Sequence, residues 1–455
     1  MPARSFGGGS KAAELRSAVT LTLRGCQLAG AGSALLLSWA LCRLLKTVAG
    51  RAVANRLHAR AVARTCQALG PTFIKTAQIA STRPDLVPEL LQKELARLRH
   101  DVTPHRLAPG DLPERLRTAI AEGRLEVTAT PVASGSIANV YLARERESGR
   151  ALVLKVRRPG LARRIRTDFR LMRAGARLVE RLPGLVSLPA SQALAELEPL
   201  VIMQTEFETE AINLSHFERT YRSWDGLLLP ESVPAWSGPD VLAMTYLPGL
   251  DKTWLEKPAN EHTQAQVSLA VAFLFDTVFI AGKVHGDMHP GNLIFRDDGK
   301  VAILDFGMVV DMTAFRKRMF VYFFFGLITN SPNMCAHVLL KTALAQEERF
   351  DEAEFRADLT ALIGRYTALT AGDYQVAAFI NELFVMQRRH GLRASPEFLT
   401  TVLAFLMLEG TVKVLWPDYD FQGAARDYIL KNGIRAGILD PGEPDVQNPR
   451  SGATA

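Results

Sequence analysis

Residues 284–307, "VHGDMHPGNLIFRDDGKVAILDFG", decide the fold of this chain. Two short apolar runs flank the turn at Asp297-Asp298-Gly299, so the segment predicts a hairpin that returns Asp305 to the side of Asn292. A carboxylate and an amide oxygen that converge in this way are suitable ligands for Mg²⁺. The segment therefore predicts a site that holds Mg²⁺ against the phosphates of ATP.

The same segment carries the spacing of a phosphoryl-transfer loop. Asp287 and Asn292 form D-x-x-x-x-N, the offset found in the catalytic loop of protein kinases. Asp287 would be the catalytic carboxylate that orients the acceptor hydroxyl, while Asn292 and Asp305 would bind the metal. The alternative is an ordinary Asp-Gly hairpin with capping residues, which the combined offsets make less attractive.

Two histidines in the segment offer a different interpretation. His285 and His289 are four residues apart, as in a zinc-binding pair on a helix. Pro290 and Gly291 oppose a helix at this point, so we predict structural, hydrogen-bonded roles for both histidines.

A lysine and an acid upstream complete the predicted catalytic set. "ALVLKVRRPG" (151–160) places Lys155 in an apolar β run, where a kinase places its phosphate-binding lysine. Side-chain parity alone does not decide whether Lys155 faces solvent or a cleft. Glu210, in "QTEFETEAINLSHF" (204–217), is the predicted partner acid, and Glu206 is the alternative.

A loop that would cover the phosphates precedes Lys155. It is "PVASGSIANVY" (131–141), in which backbone N–H groups and hydroxyls can contact phosphate although only one glycine is present. A second β-like run, "DVLAMTYLPG" (240–249), follows later. The candidate nucleotide-binding residues are Ala133, Ser134, Gly135, Ser136, Lys155 and Met244.

The order of elements predicts an α+β fold with two lobes. We divide the chain into a basic N-terminal arm (1–64) with an apolar helix at 25–42, a helical extension (65–122), a small β-rich lobe (123–247), a helical lobe with the catalytic loop (248–440) and a disordered tail (441–455).

The charge of +7 is concentrated in the N-terminal arm, where residues 1–64 hold ten Lys or Arg and one acid. With one Trp, one Phe and no Tyr, the arm is poorly suited to stack bases, so we predict no nucleic-acid partner and favour an anionic membrane surface. Residues 25–42 carry no charge but are short for a spanning helix. They form either an anchored or interfacial helix or one that packs on the protein itself.

Four cysteines without metal or disulfide spacing favour an intracellular protein, here on the cytoplasmic side of a membrane.

With these residues in place, the chain resembles the AarF/UbiB family of atypical protein-kinase-like proteins, which includes the mitochondrial coenzyme Q kinase-like proteins. The resemblance runs from about residue 69 to about residue 420. Its most specific mark is "LGPTFIKTAQIASTRPDLVPELLQKEL" (69–95), which matches the K-x-G-Q region of the family through Lys75 and Gln78. "HGDMHPGN" and "LDFGMV" are similar to the family as well.

The resemblance implies a protein-kinase-like fold whose N-terminal helical extension, with Lys75 and Gln78, covers the nucleotide cleft. Because that extension blocks the groove for a peptide, it implies an ATP- and Mg²⁺-dependent kinase or ATPase that acts on a lipid or quinone-precursor small molecule. The implied role is support of quinone (ubiquinone) or isoprenoid-lipid metabolism at a membrane. The implied catalytic and metal residues are Lys155, Glu210, Asp287, Asn292 and Asp305.

Three departures from the family pattern concern the extension and the loop. Ala77 replaces the glycine of the K-x-G-Q signature, and the loop reads Ala133-Ser134-Gly135-Ser136 where the family has three Ala and a Ser. The family's E-x-D is here Gln204-Thr205-Glu206, which weakens an expected ion pair with Lys75. We therefore predict regulatory roles for Lys75, Gln78, Gln204 and Glu206, with a cover that is held less tightly.

Two other functions remain open from the sequence. A phosphotransferase of the aminoglycoside or choline kinase type also uses H-G-D-x-H-x-x-N, although such enzymes lack the Lys75–Gln78 region. A pseudokinase scaffold that binds nucleotide or lipid is the second alternative, although the lysine and metal-binding positions are intact. The phosphate acceptor and the oligomeric state are not predicted.

Overall fold

The computed structural model describes residues 8–433 except 49, 82, 84–86, 100–105, 182–189, 252, 348 and 368–375. The mixed helix and strand content that the sequence predicts is confirmed. The predicted disordered tail lies outside the described residues. The chain divides into an N-terminal unit (Met1–Ile212 and Ser232–Tyr246) and a C-terminal unit (Asn213–Glu231 and Leu247–Ala455). The predicted domain boundaries stay predictions.

The helices, in chain order, are α1 (Gly8–Val48), α2 (Arg51–Leu69), α3 (Pro71–Ser81), α4 (Glu89–Ala96), α5 (Glu114–Ala121), α6 (Leu161–Val179), α7 (Ala190–Met203), α8 (Phe207–Tyr221), α9 (Thr263–Phe275), α10 (Ala314–Ile328), α11 (Pro332–Thr342), α12 (Glu352–Thr367), α13 (Val376–Arg389), α14 (Pro396–Leu415) and α15 (Phe421–Asn432).

The strands are β1 (Leu125–Val127), β2 (Ala133–Ser134), β3 (Ala138–Glu145), β4 (Ala151–Arg157), β5 (Leu227–Leu228), β6 (Val241–Thr245), β7 (Lys283–His285), β8 (Leu293–Phe295), β9 (Val301–Ile303), β10 (Val309–Asp311), β11 (Ala345–Gln346) and β12 (Leu392–Arg393).

The N-terminal unit combines helices with one antiparallel sheet. The strand order is β1-β3-β4-β6, and β2 pairs with β3. On one face of β4, Leu152, Leu154 and Val156 are buried in a cluster that includes Leu116 of α5 and Trp236. A second apolar cluster joins α3, α6 and α7. One face of β4 is therefore buried and apolar while the other is only partly buried, as the alternating pattern of its sequence requires.

Helix α1 is much longer than the apolar run that the sequence marks. Residues 25–42 lie within the helix Gly8–Val48, because the polar flanks continue the helix on both sides. Helix α2 ends at Gly70, whose φ of 92° is unfavourable for other residues, and Pro71 opens α3. The predicted boundary between the arm (1–64) and the extension (65–122) therefore falls inside α2.

The C-terminal unit is mainly helical around an aromatic core. Phe405 of α14 lies 4.9 Å from the ring of Phe324 and 5.9 Å from that of Phe275. Helix α9 continues as a π-helical turn, Asp276–Ala281, which follows Phe275 directly. The Asp276 carboxylate accepts hydrogen bonds from the hydroxyls of Tyr221 (2.8 Å) and Tyr428 (2.7 Å). These bonds connect α8, the π-helical turn and α15.

Within the described residues, three helical stretches are long and apolar enough to cross a membrane: Leu21–Lys46, Thr263–Ala281 and Pro396–Leu415. The second and third are more than half buried in the protein, so their apolar character is used in the core. The first is almost entirely exposed. A helix of that composition on the surface is compatible with membrane association.

Candidate functional site

Strand β4 positions Lys155 in the middle of the sheet, opposite Val140 of β3 and Leu242 of β6. The apolar residues on either side of it are buried on the opposite face, so its side chain extends from the other face toward α8. There its Nζ donates hydrogen bonds to both carboxylate oxygens of Glu210, at 2.7 and 2.9 Å. The structure thus resolves the direction that sequence parity left open.

The Lys155–Glu210 ion pair is removed from solvent. The exposed fraction of the side chain is 14% for Lys155 and 2% for Glu210. Glu210 lies in the first turn of α8, where the helix dipole favours a negative charge, and the ring of Phe207 lies 5.5 Å from Lys155 Nζ. Glu206 is exposed and accepts from Thr209 Oγ1 instead. Of the two predicted acids, Glu210 therefore pairs with Lys155, and its catalytic role stays a prediction.

The predicted phosphate loop is a tight turn between β2 and β3. The N–H of Gly135 donates to Ala138 O (2.8 Å), and Arg158 Nε donates to Gly135 O (3.0 Å). An added Cβ at Gly135 would lie 3.5 Å from Ala138 O, an ordinary contact, so the turn does not require glycine at this position. Arg158 was not predicted from the sequence, since a side-chain bond to a backbone oxygen leaves no motif.

Two serines in this turn are largely shielded. Ser134, in β2 beside Ala133, has a buried hydroxyl oxygen that makes no hydrogen bond with any described residue. Ser136 is buried as well. A buried hydroxyl without a protein partner is uncommon and is available to a ligand oxygen. The turn thus fits the predicted contact with phosphate.

The remaining predicted residues of the N-terminal unit lie in its core or at its helices. Met244 lies in β6 opposite Val153 and packs against the apolar cluster of α3, α6 and α7. Gln78 Nε2 donates to Leu98 O at 3.2 Å, which ties α3 to the end of α4. Lys75 is partly buried in α3, and Gln204 is buried just after α7. The regulatory roles of these residues stay predictions.

In the C-terminal unit, β7 and β10 pair through His285 and Val309, and the N–H of Gly286 donates to Met308 O at 2.8 Å. His285 is fully buried. Its Nδ1 accepts from the N–H of Asp287 (3.3 Å) and its Nε2 lies 3.2 Å from Leu304 O, to which it donates as the neutral tautomer. Burial lowers the pKa of His285, which favours that neutral form. Both ring nitrogens are used inside the protein, as expected for a structural histidine.

Asn292 is locked beside Asp287. Its Nδ2 donates to the backbone oxygen (3.0 Å) and to Oδ2 (3.2 Å) of Asp287, and the side chain is buried. Because the Nδ2 group of Asn292 makes the bonds to Asp287, its Oδ1 is not used in them, and Oδ1 makes no hydrogen bond with any described residue. The hairpin of β8 and β9 then brings the N–H of Leu304 to Asn292 O at 2.7 Å. Asp305 follows directly, as the sequence predicts for this hairpin.

Asp305 adopts a left-handed backbone conformation, with φ of 57°. Such values are uncommon outside glycine and often occur at functional positions. The next residue, Phe306, is buried with its ring 4.9 Å from that of Phe217. Asn213 of α8 donates from Nδ2 to Phe306 O at 3.2 Å. Asn213 therefore supports the segment that carries Asp305, a role that the sequence did not reveal.

The described residues contain no group of three or more His, Cys, Asp or Glu that could hold a metal ion. The predicted ligands are one amide and one carboxylate, Asn292 and Asp305. Mg²⁺ is commonly held by one or two protein oxygens with phosphates and water in the other positions. The donor set therefore fits Mg²⁺ bound together with a nucleotide rather than a free structural metal.

Gly286 occupies a position where a side chain does not fit. An added Cβ would lie 2.8 Å from Cγ2 of the buried Thr400 and 3.2 Å from Met308 O. We expect Gly286→Ala to lower the free energy of unfolding by about 1–3 kcal/mol, the usual cost of overpacking. Gly364→Ala in α12, where no atom lies within 4 Å, is the matched control and should be neutral or slightly stabilising. Chemical denaturation of both variants measures the difference, and equal stabilities would show that the close approach is wrong.

The structure thus brings the predicted residues together in two sets. Lys155 and Glu210 form one set in the N-terminal unit, and Asp287, Asn292 and Asp305 form the other in the C-terminal unit. The catalytic and metal-binding roles of these residues stay predictions.

The chain is similar to a known family, to a curated protein and to a solved structure. The family model described as "ABC1 atypical kinase-like domain" matches residues 110–339, about half of the chain. The chain is 28% identical over 372 residues to "Probable protein kinase UbiB" of Aliivibrio salmonicida (strain LFI1238), which covers 80% of this chain and 68% of that protein. A solved structure described as "The complex structure of Rv3197-erythromycin from Mycobacterium tuberculosis" is 21% identical, with a TM-score of 0.45, and covers 68% of this chain and 84% of that chain.

Proposed function

The chain belongs to the ABC1 family of atypical kinase-like proteins, the AarF/UbiB family, and from this membership we propose that it is an ATP- and Mg²⁺-dependent phosphotransferase or ATPase. The family predicted from the sequence is confirmed. We further propose that it acts at an intracellular membrane surface, on the cytoplasmic side, and supports quinone or isoprenoid-lipid metabolism. Its acceptor would be a lipid or quinone-precursor small molecule.

The observation that supports this proposal most is the shielded ion pair between Lys155 and Glu210. A lysine in the middle of a sheet that is paired with one buried acid is held in a fixed position. Phosphoryl transfer depends mainly on fixed charges that position the phosphates. Lys155 would orient the phosphates of ATP, while Ser134 Oγ and the backbone N–H of Ser136 would contact them.

The second set of residues would complete the chemistry. Asn292 Oδ1 and the Asp305 carboxylate would hold Mg²⁺, and the metal would neutralise charge on the phosphates when it is bound. Asp287 has Oδ2 engaged by Asn292, whereas its Oδ1 makes no hydrogen bond with any described residue. That oxygen would accept a hydrogen bond from the hydroxyl of an acceptor molecule, or from water, and so orient it.

The proposal includes the predicted cover of the nucleotide site by α3, with Lys75 and Gln78. A cover of this kind would exclude peptides and leave space for a small acceptor or water. The weaker ion pairing expected at Gln204 would make this cover easier to open.

The full chain with ATP tests the proposed function. We expect phosphate release that requires Mg²⁺, measured with and without anionic lipid vesicles and in the presence of either quinone-precursor phenols or soluble amino-alcohols. Phosphate transfer to an amino-alcohol would indicate a phosphotransferase of the choline kinase type instead. Nucleotide binding without any turnover would indicate a pseudokinase scaffold.

A further inference from the structure

Helices α1 and α2 form an antiparallel hairpin over the whole length of the exposed apolar stretch. Near the open end, Arg24 Nη2 donates to Leu69 O at 2.9 Å. Nearer the connection, Ser38 Oγ lies 3.0 Å from His58 Nδ1, and Cys42 Sγ donates to Asn55 Oδ1 at 3.7 Å. Residues 24–42 of α1 therefore lie beside residues 55–69 of α2.

The hairpin is fixed to the rest of the N-terminal unit. Arg24 donates from Nε and Nη2 to the two oxygens of Asp168 in α6, at 2.6 and 2.9 Å. Asp168 is fully buried, so separation of α1 from α6 would leave a carboxylate without its main counter-charge. Helix α1 is consequently part of the folded unit and not a detached anchor.

The outer side of this hairpin is an exposed apolar surface. Its inward positions follow a three-four spacing at residues 24, 28, 31, 35, 38 and 42, and the positions between them are exposed except for Gly25. Of the 19 large apolar side chains that are exposed among the described residues, ten belong to the hairpin. These are Leu21, Leu23, Leu36, Leu37, Trp39, Leu41, Leu44, Leu45, Val53 and Leu57.

The charge of the hairpin is almost entirely of one sign. From residue 15 to residue 69, where α2 ends, the sequence has eight Lys or Arg and no acid. Arg43 and Lys46 lie near the connection between the helices and Arg51 begins α2, while the side chain of Arg43 lies 4.9 Å over the ring of Trp39. Exposed apolar residues flanked by cations of this density are complementary to an anionic lipid bilayer.

The pairing of the two helices argues against a membrane-spanning α1. The stretch Leu21–Lys46 would extend about 39 Å as a helix, which is long enough to span. Helix α2 would then be carried to the same depth together with Arg56, Arg60 and Arg64. Arg60 is paired with Glu94 of α4, so α4 would follow. Several charged groups in the hydrocarbon are strongly unfavourable, and the break of the Arg24–Asp168 pair would add to that cost.

We infer that the α1–α2 hairpin binds in the plane of an anionic bilayer, with both ends of α1 on the same side of the membrane. This inference rests on the membrane association in the proposed function and specifies its geometry. Apolar side chains of α1 would enter the interface, while the arginines of α2 would stay at the level of the lipid headgroups.

Labelling of single cysteines tests the geometry. Two single-cysteine variants are made in the full chain after its native cysteines are replaced by alanine. Arg16→Cys places a thiol before the apolar stretch, and Arg51→Cys places one after it. Inside-out and right-side-out vesicles from cells that express each variant are treated with a membrane-impermeant maleimide. We expect both thiols to react from the same side, at rates within about threefold of each other. Reaction from opposite sides would overturn the inference and leave the membrane association itself intact.

Vesicle flotation tests the surface. We expect the full chain to float with vesicles that contain phosphatidylglycerol, to bind at least about tenfold less to neutral vesicles, and to lose binding as salt is raised. Leu37→Glu with Leu44→Glu should lower the partition coefficient at least about tenfold. Leu178→Glu and Leu430→Glu, at similarly exposed leucines elsewhere, should change it less than about twofold. If the two pairs of substitutions had equal effects, or if the unchanged protein did not float, the α1–α2 hairpin would not be the membrane-binding surface. ATP turnover measured without vesicles tests the proposed function separately.

Discussion

Asp305→Asn should reduce Mg²⁺-dependent ATP turnover by about a hundred- to a thousandfold while the protein stays folded. Loss of a preorganised charge at a reacting centre typically has an effect of this size. Asn is the appropriate replacement because it tolerates the left-handed conformation of Asp305 better than other residues do, so that the backbone is preserved while the negative charge is removed. The measurement is phosphate release at saturating ATP over a range of Mg²⁺ concentrations.

Two controls make the Asp305→Asn result specific. Asp297→Asn removes an exposed carboxylate from the turn of the same hairpin and should leave turnover within about twofold. Thermal unfolding of Asp305→Asn should lie close to that of the unchanged protein, since the bond from Gly307 N–H can be made by the amide oxygen. Undiminished turnover in Asp305→Asn would remove Asp305 from the proposed metal site.

Lys155→Met should lower the free energy of unfolding by about 3–5 kcal/mol and abolish productive ATP binding. Removal of one partner of a buried ion pair leaves the other charge uncompensated, and Glu210 has almost no access to water. Lys257→Met is the matched control, since Lys257 pairs with acids at the surface, where such pairs contribute at most about 1 kcal/mol. Chemical denaturation and nucleotide binding are measured on each variant.

A double variant separates the two roles of Lys155. Lys155→Met with Glu210→Gln removes both charges, so most of the lost stability should return, to within about 1–2 kcal/mol of the unchanged protein. ATP turnover should not return, because the phosphates would still lack their cation. If turnover recovered with stability, the pair would be structural and Lys155 would have no place in the proposed mechanism.

The fold was predictable where local signals were strong and not where tertiary packing decided. The hairpin of β8 and β9 followed from its Asp-Gly turn and apolar flanks. The extent of α1 was not predictable from composition. Glycines such as Gly25, Gly30 and Gly32 are costly in an isolated helix, and the packing of α1 against α2 offsets that cost.

The residues of the predicted site divide in the same way, into those that local sequence indicates and those whose position depends on tertiary packing. Spacing alone indicated Asp287, Asn292 and Asp305, because a short hairpin constrains their separation. The direction of Lys155 required the position of α8, which lies 55 residues further along the chain. Asn213 and Arg158 could not be found at all, since each holds a backbone oxygen by a single side-chain bond that has no sequence signature.

The two tyrosine hydroxyls on Asp276 set a limit on how far the chain can be shortened from its C-terminal end. Tyr428 lies in the last described helix, and hydrogen bonds to a charged group contribute about 1.5–3 kcal/mol. A truncation before α15 would remove one hydrogen-bond donor from the carboxylate of Asp276, in the π-helical turn that precedes β7. Fragments restricted to the family-matched residues would lack this support, so low activity in them would say little about the full chain.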